Sequence, residues 1–221
     1  MKSNNNKKIK KPRLFDIRHF PMDFARMLCM WLPLAFRIKK IFVSEKAKQK
    51  IKGGAIIAAN HTCFKDPLLL GSLFWYRRMF FLAAEVVMEN KIVGSLLKGV
   101  GCIKIDRNIC DIESMRKTVS ILKEGHVLAL FPQGGINRDD EMKSIKSGIV
   151  LMAMQAKVPI IPVYVSRKTK THKRNCMVIG EPIDAFGTGE IKGIKNINEY
   201  ADLVFEKMTE CRKIYEDMGR N

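Results

Sequence analysis

With 221 residues, 47% of them hydrophobic, the chain carries enough apolar material for one good-sized domain core, which excludes a globally disordered protein. The formal net charge of +18 at pH 7 calls for an anionic partner, because self-repulsion of that size disfavours a compact free protein. The six cysteines (29, 63, 102, 110, 176 and 211) contain no C-x-x-C pair and the four histidines are scattered, so neither a metal site nor a disulfide framework is expected.

No secretory signal is recognised ahead of these cysteines, and the expectation is reduced thiols in an intracellular protein. Residues 1–13 hold Lys2, Lys7, Lys8, Lys10, Lys11 and Arg13 and no acid, a composition expected of a solvated tail. Residues 14–50 follow as an N-terminal helical element. Within it, Met27 to Phe36 is an apolar run of ten residues with Arg26 before it and Arg37, Lys39 and Lys40 after it. A straight helix needs about 20 apolar residues to cross a bilayer, so this run is too short. Two readings stand: a helix lying in the lipid interface, or an ordinary helix packed on the core. The basic tail favours the first, adding about 1 kcal/mol per residue near anionic lipid. Nucleic acid, the other anionic candidate, is not expected as a partner, since no recognition helix or aromatic single-strand platform is present.

From residue 51 to 221 the pattern predicts a single α/β domain. Strands are predicted at Ala55 to Ala59, Met79 to Ala83, Cys102 to Ile105, Val127 to Phe131, Ile160 to Val165 and Met177 to Ile179. Helices are predicted at Pro67 to Tyr76, Met88 to Leu97, Ile112 to Lys123 and Ile145 to Ala156. Continuously apolar strands that alternate with helices predict a mixed, largely parallel sheet flanked by helices. Tyr200, Val204, Met208, Cys211, Tyr215 and Met218 recur at spacings of three and four, so the last segment is predicted to be a closing helix with that stripe in the core.

Ligands of such sheets gather outside the carboxyl ends of the strands, and three of those ends carry chemistry. After the first comes Asn60-His61-Thr62-Cys63-Phe64-Lys65-Asp66-Pro67. Here Asp66 either caps the next helix, with Pro67 at its first position, or folds back to orient His61 as a general base. After the third comes Asp106-Arg107, where the guanidinium suits an anion such as phosphate or a salt bridge to Asp106. After the fourth comes Phe131-Pro132-Gln133-Gly134-Gly135, whose glycines permit close backbone approach or positive φ. Lys146-Ser147-Gly148 opens a helix whose amides can receive an anion.

The ordered set His-x4-Asp, Gly-x3-Ile-Asp-Arg, Phe-Pro-x-Gly and Val-Pro-Ile-Ile-Pro-Val resembles the glycerophospholipid acyltransferase family, typified by 1-acylglycerol-3-phosphate acyltransferases. The resemblance covers about residues 50–180. It implies an α/β acyltransferase fold with an N-terminal membrane-docking element on the cytoplasmic face of the membrane, peripheral or monotopic. It implies His61 as general base, Asp66 as its orienting partner and Arg107 on the acceptor's phosphate, with Gln133, Gly134, Gly135, Arg138 and Lys146 also at the substrate. Val158 to Val163 would shape the acyl channel or the site wall. The implied acyl donor is acyl-CoA or acyl carrier protein, the acceptor a lysolipid, and no cofactor or metal is required. Family members usually read Phe-Pro-Glu-Gly-Thr-Arg-Ser at the third motif. Here Gln133 replaces the carboxylate and the basic residue is displaced to Arg138, which bears on the acceptor rather than on the chemistry.

Overall fold

The computed structural model describes residues 20–35, 38–105, 112–137, 144–166, 175–184 and 197–218. Arg107 and Arg138 lie outside the described residues, as do Asp106 and residues 1–19. In chain order the elements are α1 (Phe20–Ala35), β1 (Lys39–Phe42), β2 (Ala55–Ala59), α2 (Asp66–Leu73), β3 (Met79–Ala84), α3 (Glu85–Met88), α4 (Lys91–Gly99) and β4 (Cys102–Ile105). They continue with α5 (Ile112–Lys123), β5 (Val127–Leu130), α6 (Gly148–Ala156), β6 (Ile160–Ser166), β7 (Cys176–Ile179) and α7 (Ile197–Asp217).

The strands form one seven-stranded sheet in the order β1-β7-β6-β2-β5-β3-β4. All neighbouring pairs are parallel except β6 with β7. Central strand β2 is buried at every position, so its sequence is continuously apolar. Its alternate side chains serve two cores. Ile56 and Ala58 pack with Leu122 of α5, Val150 of α6 and Met208 of α7, whereas Ala55, Ile57 and Ala59 pack with Leu69, Leu70 and Leu73 of α2. The sheet is therefore covered on both faces, as expected. In α7, Tyr200, Val204, Met208, Cys211 and Tyr215 are buried as predicted, while Met218 falls just past the helix and is half-buried.

Besides α2, which ends at Leu73 rather than Tyr76, three elements differ from the sequence reading. Lys39 and Lys40, taken there as the basic flank of a helix, belong to β1, which pairs with β7. Alternation explains this: Ile41 packs with the α7 side of the sheet and Phe42 with the α2 side, while both lysines stay exposed at an edge. The helix expected at Met88 to Leu97 is two helices, because the Asn90 side chain accepts the Ile92 and Val93 amides, each at 3.1 Å, and starts a new one. Finally, α6 begins at Gly148, three residues after Ile145.

Helix α1 is seated by a polar contact. Asp23 is buried and accepts from Nε and Nη2 of Arg78, both at 2.9 Å, with Arg26 3.2 Å away. Breaking a buried pair leaves an uncompensated charge, so Asp23→Ala is expected to cost about 3–5 kcal/mol and to release α1 from its seat. Urea unfolding and limited proteolysis check this; an unchanged midpoint would refute it.

Candidate active site

The carboxyl end of β2 leads into Asn60, whose side chain donates to the Val165 carbonyl at 3.0 Å and accepts the Val165 amide at 2.7 Å. This two-way bond ties the ends of β2 and β6 together and fixes where the chain leaves the sheet. His61 follows. Its Nδ1 lies 3.1 Å from Oδ2 of Asp66, and its ring stacks on Phe131 at the end of β5, with centroids 3.9 Å apart and planes 15° from parallel. The Asn137 amide donates to the His61 carbonyl at 2.7 Å, which holds the glycine turn of the third motif against the first.

Asp66 does not cap the helix it opens. The capping position is Lys65, which makes no side-chain cap bond, and Pro67 occupies the first turn. The carboxylate instead turns back, accepting the Thr62 amide at 2.6 Å and the Cys63 amide at 2.7 Å, with the Cys63 thiol donating at 3.4 Å. The preceding turn offers inward-pointing N–H groups beside His61, and these satisfy the buried carboxylate better than the helix amides ahead of it. Burial alone would push the Asp66 carboxyl up. The hydrogen bonds from His61, the Cys63 and Thr62 amides and the Cys63 thiol outweigh it and hold the group below the usual carboxylate range. A carboxylate facing Nδ1 favours the tautomer with its proton there, leaving Nε2 with the lone pair.

The histidine stands at one end of an apolar cavity of about 390 Å³. The cavity is walled by Ala25 of α1, Phe64, Leu68 and Gly71 at α2, Val87 of α3, Leu97 and Val100 at α4, and Cys102 of β4. It touches β3 from Ala84, at the carboxyl end of the strand, to Met79, five residue steps or about 17 Å away. Desolvation pushes the Cys102 thiol up to about 11, so that side chain stays uncharged, while Arg26, paired with Asp23, and Arg77, which donates to backbone carbonyls, also reach the lining. The shape and lining suit an alkyl chain laid along the sheet with its reactive end at His61.

At the third motif, Gly134 takes φ +83°, and a side chain there would sit 3.6 Å from Cε of Lys146. Lys146 therefore lies against the Gln133-Gly134-Gly135 turn, its amide donating to the Pro132 carbonyl, and the turn joins the site through Phe131, whose carbonyl accepts the Gly134 amide. Val158 to Val163, expected to shape the acyl channel or the site wall, do not line the cavity beside His61: β6 lies on the other side of β2, and Pro159 and Ile161 line a separate cavity with Lys50 and Lys52, while β6 meets the site through the Val165–Asn60 bonds. Asn60, Phe131 and Asn137 were given no role from sequence. Asn60 carried a signal, being polar directly after an all-apolar strand; Phe131 and Asn137 meet His61 only through the fold.

The comparisons agree with this geometry. The crystal structure of the 1-acyl-sn-glycerophosphate (LPA) acyltransferase PlsC from Thermotoga maritima superposes with a TM-score of 0.65 at 19% identity, covering 90% of this chain and 83% of that one, and so shares the fold. The 1-acyl-sn-glycerol-3-phosphate acyltransferase of Bacillus subtilis is 29% identical over 146 residues, 64% of this chain and 72% of that protein. The enzyme of the same name from Streptococcus pneumoniae is 26% identical over 166 residues, 72% of this chain and 61% of that protein. The family model described as Acyltransferase matches residues 40–166, which run from β1 through the His61 turn to the end of β6. Since that match takes in more than half of the chain and every described element of the site except α1, this protein belongs to the acyltransferase family.

Proposed function

We propose that this protein transfers a fatty acyl group from an acyl-CoA or acyl carrier protein thioester to the free hydroxyl of a lysolipid, 1-acyl-sn-glycerol-3-phosphate, at a membrane surface in phospholipid synthesis. The observation that carries this reading is the His61–Asp66 pair set at the end of an apolar cavity, a base beside a space fit for an alkyl chain. Nε2 of His61 takes the proton as the acceptor oxygen attacks the thioester carbonyl. The tetrahedral intermediate then collapses, the carbon–sulfur bond breaks and the departing thiolate recovers the proton from the imidazolium. A thioester is already activated, so a base and correct positioning of two substrates suffice. Lys146 and the glycine turn are the groups assigned to the acceptor's headgroup in this reading, with Arg107, two residues after β4 in the sequence, and Arg138, directly after Asn137, as further cations for its phosphate.

The membrane part of the reading rests on α1. Its described residues are amphipathic in the reverse of the usual sense. Asp23 and Met22 are buried, while Phe20, Phe24, Met27, Leu28 and Trp31 are exposed along one stripe. Water disfavours such a face and a lipid interface accommodates it. No helix among the described residues is long and apolar enough to cross a membrane. The form proposed is peripheral or monotopic docking on the cytoplasmic leaflet.

Purified protein incubated with labelled acyl-CoA or acyl carrier protein and a panel of lysolipids tests the activity; no transfer to any of them would sink it. The same panel with Gln133→Glu, which restores the family's carboxylate, is expected to change the ratio of kcat/KM between phosphate-bearing and other acceptors by about tenfold while leaving donor preference alone. An unchanged ratio would show that Gln133 does not meet the acceptor.

A further inference from the structure

The helical hairpin α3–α4 turns apolar side chains outward. Val86 is 76% exposed, Ile92 83% and Leu96 67%. On α4, Ile92, Val93 and Leu96 share one face, while Leu97 turns to the cavity and Gly94 is buried against α3. Gly94 makes this packing possible: a Cβ there would stand 2.2 Å from the Met88 carbonyl oxygen. The hairpin is therefore tightly joined, with its outward face left uncovered by the described residues. Val87, Phe64 and Leu68 are exposed and also line the cavity beside His61, so the apolar surface runs from the hairpin into the rim of the active site. Phe64 is 77% exposed.

We propose that α3–α4 is a second membrane-insertion element, which enters an anionic bilayer beside the cavity rim and lets lipid reach His61 without crossing water. This rests on the membrane reading of α1 but is separate from it. Charge selects the occupant. Glu85 is paired with Lys104, which leaves Glu89 against Lys91 and Lys98 at the two ends of α4, with Lys65 next to Phe64. Lysines flanking an apolar helical face extend their ammoniums to headgroup level while the face is buried. A second copy docking here about a two-fold axis would bring like lysines together, whereas anionic headgroups neutralise them.

The test places a reporter at the hairpin. In the full chain with Trp31→Phe and Trp75→Phe, the only tryptophan is introduced by Ile92→Trp. On phosphatidylglycerol–phosphatidylcholine vesicles with brominated acyl chains, its emission is expected to shift blue and to be quenched. Unquenched, water-like emission from vesicle-bound protein would overturn the proposal. In parallel, Ile92→Glu/Leu96→Glu is expected to weaken flotation with the same vesicles by at least about tenfold, with turnover in detergent micelles retained. If that variant floats like wild type while Leu28→Glu/Trp31→Glu does not, α1 docks alone; the proposal fails and the membrane reading stands. If wild-type protein does not bind vesicles at all, both fail. A change in oligomeric state on gel filtration with unchanged flotation would assign the face to a second copy and refute the proposal.

Discussion

His61→Ala is expected to lower kcat for acyl transfer by about 10²–10⁴-fold with the fold retained. The ring borders the cavity and bonds Asp66, whose carboxylate keeps the Thr62 and Cys63 amides when the imidazole is gone, so the cost to stability is confined to the lost Phe131 stack and the lost Asp66 bond. On the proposed mechanism, what disappears is the group that receives the hydroxyl proton as the oxygen attacks. In that mechanism the thioester remains activated and the cavity still positions the acyl chain, so a residual rate from binding alone is expected to survive. Cys63→Ser is the control. The Cys63 sulfur donates to Asp66 at 3.4 Å and accepts the Lys65 amide at 3.3 Å, and a serine hydroxyl can make both bonds. Retained activity in Cys63→Ser alongside loss in His61→Ala supports direct attack by the acceptor. An inactive Cys63→Ser with its fold retained would point to an acyl-enzyme on Cys63.

Asp66→Ala is expected to impair both turnover and stability. Without the carboxylate, Nδ1 has no acceptor to hold its tautomer, and kcat should fall nearly as far as in His61→Ala. The Thr62 and Cys63 amides lose their shared acceptor as well, at a cost of about 1–3 kcal/mol if water cannot replace it. Asp66→Asn separates the effects, since its amide oxygen can still accept from the turn but cannot also keep the imidazole charged-partner geometry. The wild-type contribution depends on pH. The folded-state pKa of Asp66 lies below its unfolded value, so between the two the unfolded chain binds more protons than the native state. The stability supplied by Asp66 is therefore complete above about pH 4 and is lost as pH falls through the depressed folded value. Urea midpoints of wild type and Asp66→Ala measured from neutral to acidic pH should converge at the acid end. A gap that stays constant would show that the carboxylate is not held in its ionised form.

How much of this was legible beforehand depends on the range of the interaction. Strand β2 and helix α5 run as predicted because their identity is written in local patterning: an unbroken apolar run bounded by Gly54 and Asn60, and a helical period closed by Gly125 at φ +89°. The pairing of His61 with Asp66 was open in the sequence, since an acid before proline at a helix start has an ordinary capping job. Only the folded turn shows the carboxylate directed at the Thr62 and Cys63 amides and at Nδ1. Strand β1 escaped the sequence reading because its lysines match the flank of a lipid-facing helix as well as they match an exposed edge strand.

By itself the sequence determined the class of the sheet, the strand ends that carry chemistry and their order, since these follow from short-range periodicity and breaker residues. It could not determine what the side chains face. That Phe131 stacks on His61, that the chamber beside them lies between α1, α2, α4 and β3 rather than against β6, and that α1 and α4 turn their apolar faces outward are all settled by packing between distant segments. Such contacts depend on which faces remain after the core is filled, and no local pattern encodes that remainder.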